Sequence, residues 1–188
     1  MPRPKVILYP FKAGPLDGKN WKETLDTGIK ELKDFNWQLG FGTLLGMVRD
    51  KTVIPHDLDL DIDVMMEDEY KPNTDALHQS YLTKGFRLIK MQEWGGLIMS
   101  LAYMHEKTNV IFDICFFYGI WGDDFLHLGS DGIVIRPRWT LKTIKLLGYN
   151  IPERYDDYLT GRYDDWRTPV SGKKDWFDYA NKYFIKYD

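Results

Sequence analysis

The chain has 188 residues, 25 of them Lys or Arg against 28 Asp or Glu, for a net charge of -3. That length suits one compact unit with a proper core, and a charge so evenly balanced gives no electrostatic reason for a nucleic-acid partner or an anionic membrane. The single cysteine, Cys115, excludes an internal disulfide framework and any CxxC metal site. The opening MPRPKVILYPFKAGP has too short an apolar run for a signal peptide, and no stretch reaches the length of a transmembrane segment, so a cytoplasmic protein is expected.

In chain order, the first expected element is a helix from about Trp21 to Phe35. Leu25, Ile29, Leu32 and Phe35 recur there at helical spacing, and Asn20 with Glu23 forms a capping pair. A short strand, WQLGF, leads into GTLLGMVRD, where Gly42 permits a tight turn and Leu44 to Asp50 can form a short helix. An acidic strand follows from about Asp57 to Met65, then a helix from Asn73 or Thr74 that stops before Gly85. Three β-type runs, FRLIKM, GLIMSLAYM and NVIFDICFFY, leave the sheet largely complete by Tyr118. Beyond it Gly122, Gly129, Gly132 and Gly148 punctuate short strand candidates, a helix is expected near Arg154 to Thr160, and Asp175 to Tyr187 reads as a closing helix. Helix, then sheet, then helix argues for an α+β layer fold.

Residues 56–63 read HDLDLDID. In a strand, Asp57, Asp59, Asp61 and Asp63 share one face, while Leu58, Leu60, Ile62 and Val64 share the other. Hard divalent cations such as Mg²⁺ or Mn²⁺ prefer carboxylate oxygens, and Asp59 and Asp61 supply two. Asp113, alone inside the apolar run VIFDICFF, is the best third ligand, since an unpaired charge there would be costly. The competing reading makes DLDLDID a solvated strand face and gives Asp113 a cap or a buried arginine as partner. Just upstream, backbone N–H groups at Gly42, Thr43 and the start of the helix could hold a phosphate, the plain alternative being a simple helix cap with two exposed basic residues. Arg49 and Lys51 could add contacts to the same phosphates. His78 and His105 fall at expected surface positions, and the four histidines have no zinc-site spacing. His56 could touch a donor phosphate or be structural, and Tyr163 and Trp166 could stack on a ligand or simply pack.

The run FGTLLGMVRDKTVIPHDLDLDID resembles the signature of the LicD/fukutin-type phosphotransferases: a Gly-Thr-Leu-Leu-Gly corner, an Arg, an Ile-Pro-Trp and a D-x-D-x-D acid run. FDICFF is similar to the family's later strand with its single Asp, and IPERYDDYLTGRYDDWRTP to its C-terminal Ile-Pro, Tyr-Leu and Tyr-Gly-Asp-Trp segment. The resemblance implies a nucleotidyltransferase-like fold of the polymerase-β superfamily, a mixed sheet packed by helices. It also implies a single domain over 1–188, with its core over about 20–120 and the C-terminal family segment over about 140–188. The implied activity is metal-dependent transfer of a phospho-group, such as phosphocholine or a polyol phosphate, from a CDP-linked donor to a glycan hydroxyl, with CMP released. On this resemblance Gly42 and Thr43 fall at the phosphate turn, Arg49 at the family Arg, Asp57, Asp59 and Asp61 at the acid run and Asp113 at the later acid. Departures are His56 for Trp, Leu58 for a frequent Asp, Asp63 for a common Gly and Asp164 for the Gly of Tyr-Gly-Asp-Trp. The chain is short for the family, which leaves room for a partner protein in acceptor recognition. The alternatives are an NTP-dependent nucleotidyltransferase of the same fold and a non-catalytic nucleotide- or glycan-binding module.

Overall fold

A computed structural model describes residues 3–67, 74–121, 124–129, 131–169 and 184–186. Helix α1 (Trp21–Lys30) starts at its expected cap: the Glu23 backbone N–H donates to Asn20 Oδ1 at 3.3 Å, and Asn20 Nδ2 donates back to Glu23 Oε2 at 2.8 Å. The helix ends at Lys30 rather than Phe35. Beyond it the N–H groups of Leu32 and Phe35 bond to the third carbonyl back, at 3.1 and 3.0 Å, and tighten the chain into successive turns. Leu32 is still fully buried, so its place in the apolar stripe survives the loss of helix.

Nine strands of the described residues form one mixed sheet. β1 (Lys5–Leu8), β4 (Phe86–Trp94), β5 (Leu97–His105) and β6 (Val110–Trp121) are successive antiparallel neighbours. β3 (Asp59–Met66) joins β6 in parallel, and β2 (Asn36–Leu39) flanks β3 antiparallel. The sheet does not stop at Tyr118. β7 (Asp124–Leu128), β8 (Gly132–Pro137) and β11 (Phe184–Lys186) extend it from the C-terminal part of β6. Residues 184–186, expected in a closing helix, are thus a strand; the rest of that expected helix lies outside the described residues. A separate hairpin, β9 (Thr143–Leu146) with β10 (Tyr149–Pro152), is tied to β2 by Asn150 Nδ2, which donates to the Trp37 carbonyl at 2.9 Å.

The even residues of β3 and β6 make the main core. Leu60, Ile62, Val64, Phe112, Ile114 and Phe116 are all fully buried, beneath α1 and α3 (Thr74–Thr83). Each such side chain is worth about 1.5–3 kcal/mol relative to exposure. Helix α1 lies so close to β6 that a Cβ on Gly28 would sit 2.6 Å from the Phe112 ring, and Tyr81 Oη donates to the Gly28 carbonyl at 2.9 Å. His105, expected at the surface, is buried beside Phe86 with its Nδ1 within 3.2 Å of Thr24 Oγ1 and 2.9 Å of Thr108 Oγ1. Leu58 precedes β3 and is 48% exposed, so the alternation begins only at Asp59.

Helix α2 (Phe41–Arg49) begins three residues before its expected start. Gly42 therefore lies in the first helical turn, and Gly40 takes the extended cap position. Gly46 lets the chain double back, since a Cβ there would be 2.6 Å from the Thr52 carbonyl oxygen and 2.9 Å from the Ile54 nitrogen. Helix α4 (Tyr155–Tyr163) completes the described set, and no helix among the described residues is long and apolar enough to cross a membrane.

Candidate active site

Asp59 and Asp61 of β3 face a cleft of about 870 Å³. Its walls contain Gly42, His56, Asp57, Asp59, Asp61, Asp113 and Tyr163 from the sequence expectation, and also Lys90, Gln92, Ser100, Cys115, His127 and Arg162. One carboxylate oxygen each from Asp57, Asp59 and Asp61 lies within 4.8 Å of the other two. Charges at that separation repel by about 3 kcal/mol per pair at an effective ε near 20.

The first turn of α2 offsets part of this. Gly40 offers no side-chain cap, so the positive end of the helix is open to the acids, and a Cβ on Gly42 would lie 2.2 Å from Asp57 Oδ2 and 3.7 Å from Asp61 Oδ2. A helix terminus contributes roughly 0.3–1 kcal/mol to a nearby carboxylate, less than the repulsion of one pair. The acids therefore hold their protons tightly. Burial, then Asp113 and Asp57, push the Asp59 carboxyl up to about 7; burial and its acidic neighbours push Asp61 well above the usual range, and burial raises Asp57.

Asp113 reaches the cluster through the parallel register, in which it is the direct partner of Asp61. Continued across the sheet, the same row reads Lys90, Ala102, Asp113, Asp61. Lys90 Nζ lies 2.5 Å from Asp113 Oδ2, while Asp113 Oδ1 is buried and has no hydrogen-bond partner. An all-oxygen donor set with a spare buried carboxylate oxygen beside it fits a hard divalent cation. The set of acids brought together is Asp57, Asp59 and Asp61, with Asp113 one strand away and paired to lysine.

The other expected residues are placed as follows. Thr43 lies beneath the cleft, its Oγ1 accepting the Asp61 backbone N–H at 2.8 Å, which pins α2 to β3. Arg49, at the far end of α2, clasps Asp50 with contacts of 2.7–3.1 Å, and Lys51 Nζ donates to the Val48 carbonyl at 2.9 Å; neither lines the cleft. The helix itself, about 1.5 Å per residue, carries them away from Gly42. Trp166 is buried in the main core, its Nε1 donating to Asp156 at 3.2 Å, and is absent from the cleft walls. His56 and Tyr163 do line it.

Asp63 has a different role from the other three acids. It is buried and bound to Arg136 Nε at 2.5 Å, and the Arg136 guanidinium lies 4.5–4.6 Å from the ring centres of Phe41, Phe117 and Tyr158. Burial still raises the Asp63 carboxyl, against the pull of Arg136. Lys90, Arg136 and Arg162 are absent from the sequence expectation. Arg136 carries a signal of the same kind as Asp113, a lone charged residue in the apolar run GIVIRP, whereas Lys90 shares FRLIKM with Arg87 and does not stand out in the same way.

Known proteins resemble this chain at three levels: family, sequence and solved structure. A family model described as LicD/FKTN/FKRP, nucleotidyltransferase domain, matches residues 35–150, from the turn before β2 through most of the β9–β10 hairpin. The chain is 28% identical over 167 residues to the ribitol-5-phosphate transferase FKTN of Mus musculus; the match takes in 81% of this chain and 34% of that protein, so the chain spans about a third of its relative's length. Among solved structures, the Cid1 poly(U) polymerase with MgGTP bound superposes with a TM-score of 0.38 and 19% identity, over 51% of this chain and 31% of that one.

Proposed function

Because the chain belongs to the LicD/FKTN/FKRP nucleotidyltransferase-domain family, we propose that it transfers a phospho-group from a CDP-linked donor to a glycan hydroxyl and releases CMP. The observation that carries this reading is the convergence of Asp57, Asp59 and Asp61 beside the unpartnered Oδ1 of Asp113. These acids would hold Mg²⁺ or Mn²⁺, whose charge, when bound, would offset that of the diphosphate. Asp57, Asp59 and Asp61 would supply oxygen ligands to the cation, and the unpartnered Oδ1 of Asp113 would offer a further one. Gly42 keeps the floor of the site clear of any side chain, and Thr43 holds Asp61 in place through its backbone. The fold goes with a nucleotidyltransferase-like architecture, in which the donor's phosphates lie along the acidic strand.

In the reaction a lone pair of the acceptor hydroxyl forms the new P–O bond. The bond from phosphorus to the bridging oxygen breaks, its electron pair leaves with CMP, and the hydroxyl proton passes to water. Such transition states are loose, so positioning and charge neutralisation carry most of the rate and no strong base is required.

The test is a stability and turnover panel with CDP-ribitol, CDP-choline, CDP-glycerol and NTPs, each with and without Mn²⁺. A ligand specific to the native state at a hundredfold excess over Kd adds about 2.7 kcal/mol of stability. Metal-dependent stabilisation by a CDP-linked compound and CMP release in the presence of a glycan acceptor are expected. Asp61→Asn should abolish both while leaving the circular dichroism unchanged. Pyrophosphate release from an NTP would replace this reading with the nucleotidyltransferase one, and no metal-dependent response to any nucleotide would leave a non-catalytic module.

A further inference from the structure

We propose that Lys90 is a phosphate-binding residue of this cleft: its ammonium gives up Asp113 when the cation binds and donates instead to oxygens of the donor's diphosphate. The inference deepens the phosphotransferase reading and rests on it. Lys90 sits on β4, two strands from Asp113, and strand spacing of about 4.8 Å puts its backbone close to 10 Å away. The two side chains meet because the residue between them in the row is Ala102, whose methyl leaves the path open. A long cation laid across a strand toward the acids needs a reason, and the Lys90–Asp113 contact supplies only half of one.

The other half is the unused oxygen. Asp113 is 6% exposed, its Oδ2 takes Lys90, and its Oδ1 has no partner and belongs to the same cleft as Asp57, Asp59 and Asp61. In the cation-free protein Lys90 is thus the counter-charge of the acidic cluster. A divalent cation on those acids takes over that task and repels the ammonium from the same carboxylate. Among the described residues Lys90 and Arg162 are the two permanently charged cations in the walls, and Lys90 is the one already beside the acids. A lysine displaced from Asp113 with the cation close by finds a favourable partner in an anion bound to that cation. A lysine ammonium, compact and with three rotatable donors, suits phosphate oxygens as a point charge.

The rival role is a prop that merely orients Asp113, and the two differ in sign. A prop's removal loosens Asp113 and weakens cation binding. Removal of a repelling cation leaves cation binding unchanged or tightens it several-fold, while diphosphate binding drops. The experiment titrates the full chain and its Lys90→Met and Lys90→Arg variants with Mn²⁺ alone, then with inorganic pyrophosphate at saturating Mn²⁺, then with CDP-ribitol at saturating Mn²⁺. For Lys90→Met we expect Mn²⁺ affinity at least equal to the parent, and pyrophosphate and CDP-ribitol binding weaker by 10- to 100-fold; Lys90→Arg retains part of it. Should the Met variant not fold, Lys90→Gln takes its place. A tenfold loss of Mn²⁺ affinity with pyrophosphate binding unchanged at saturating Mn²⁺ overturns the proposal in favour of the prop. If the parent binds Mn²⁺ and pyrophosphate but ignores CDP-ribitol, the donor assignment fails, and Lys90 is still judged on the pyrophosphate arm.

Discussion

Substituting Gly42 by alanine isolates the geometry of the acid cluster from its chemistry, because no proposed ligand is replaced. The new Cβ would stand 2.2 Å from Asp57 Oδ2, where ordinary contact begins at 3.4 Å, so the carboxylate must retreat by about 1 Å. Displacement on that scale costs a reacting constellation up to roughly 10²-fold, equivalent to about 2.7 kcal/mol. The helix gains from the same change, because alanine is favoured over glycine by up to about 1 kcal/mol within a helix. Gly42→Ala should therefore unfold no earlier than the parent in EDTA, yet bind Mn²⁺ 10- to 100-fold more weakly and lose a similar factor in turnover. Titration calorimetry with Mn²⁺ reads the first effect and CMP release the second. The double variant Gly42→Ala/Asp57→Ala should be no worse than Asp57→Ala alone, since the clash has then lost its second party. Parental Mn²⁺ affinity in Gly42→Ala would refute the reasoning.

Two further outcomes follow from the charges. Arg136→Met strands the buried Asp63 and should cost about 3–5 kcal/mol in urea unfolding, most of it recovered in Arg136→Met/Asp63→Leu; a single variant as stable as the parent would mean that the pair contributes nothing. For pH, the Asp59 carboxyl lies near 7 in the folded protein against an ordinary 3.8, so between those values the native state binds more protons than the unfolded one. Stability in EDTA should accordingly be highest at the acid end of that window and fall as pH rises through it, with Asp59→Asn flattening the slope. Stabilisation by Mn²⁺ should grow across the same interval, as the cation replaces departing protons. Thermal melts from pH 4 to 8 would check both, and a slope of the opposite sign would remove burial and mutual repulsion as the forces acting on Asp59.

The parts of this protein that could be read from its sequence are those where a side chain breaks a local pattern. The capped start of α1, the three long strands and the acidic face of β3 announce themselves by period and polarity, and Asp113 stands out as a charge in an apolar run. Arg136 breaks its pattern in the same way, while Lys90 is masked by Arg87 in the same run, and the partners of both are set by strand order: Lys90 meets Asp113 across Ala102, and Arg136 meets Asp63 where the sheet continues past β6. Nothing local encodes which strands become neighbours. Gly42 was legible as a position that demands glycine but not for its reason, since the demand comes from an aspartate fifteen residues later and not from backbone conformation. Arg49 and Trp166 show the converse, residues of suitable chemistry whose elements carry them elsewhere.

The pairing of β3 with β6 has a consequence for how such a gene can drift. Along both strands alternate codons specify opposite tasks: Leu60, Ile62, Ile114 and Phe116 fill the interior, while Asp59, Asp61 and Asp113 supply the acids. A single inserted or deleted codon in either strand would exchange the two sets, driving carboxylates into the interior and aliphatic side chains into the cleft. Length in these segments is therefore constrained by the interior and by the cleft at once. The lip lies outside that alternation, and there this chain carries His56 and Leu58, both exposed to solvent.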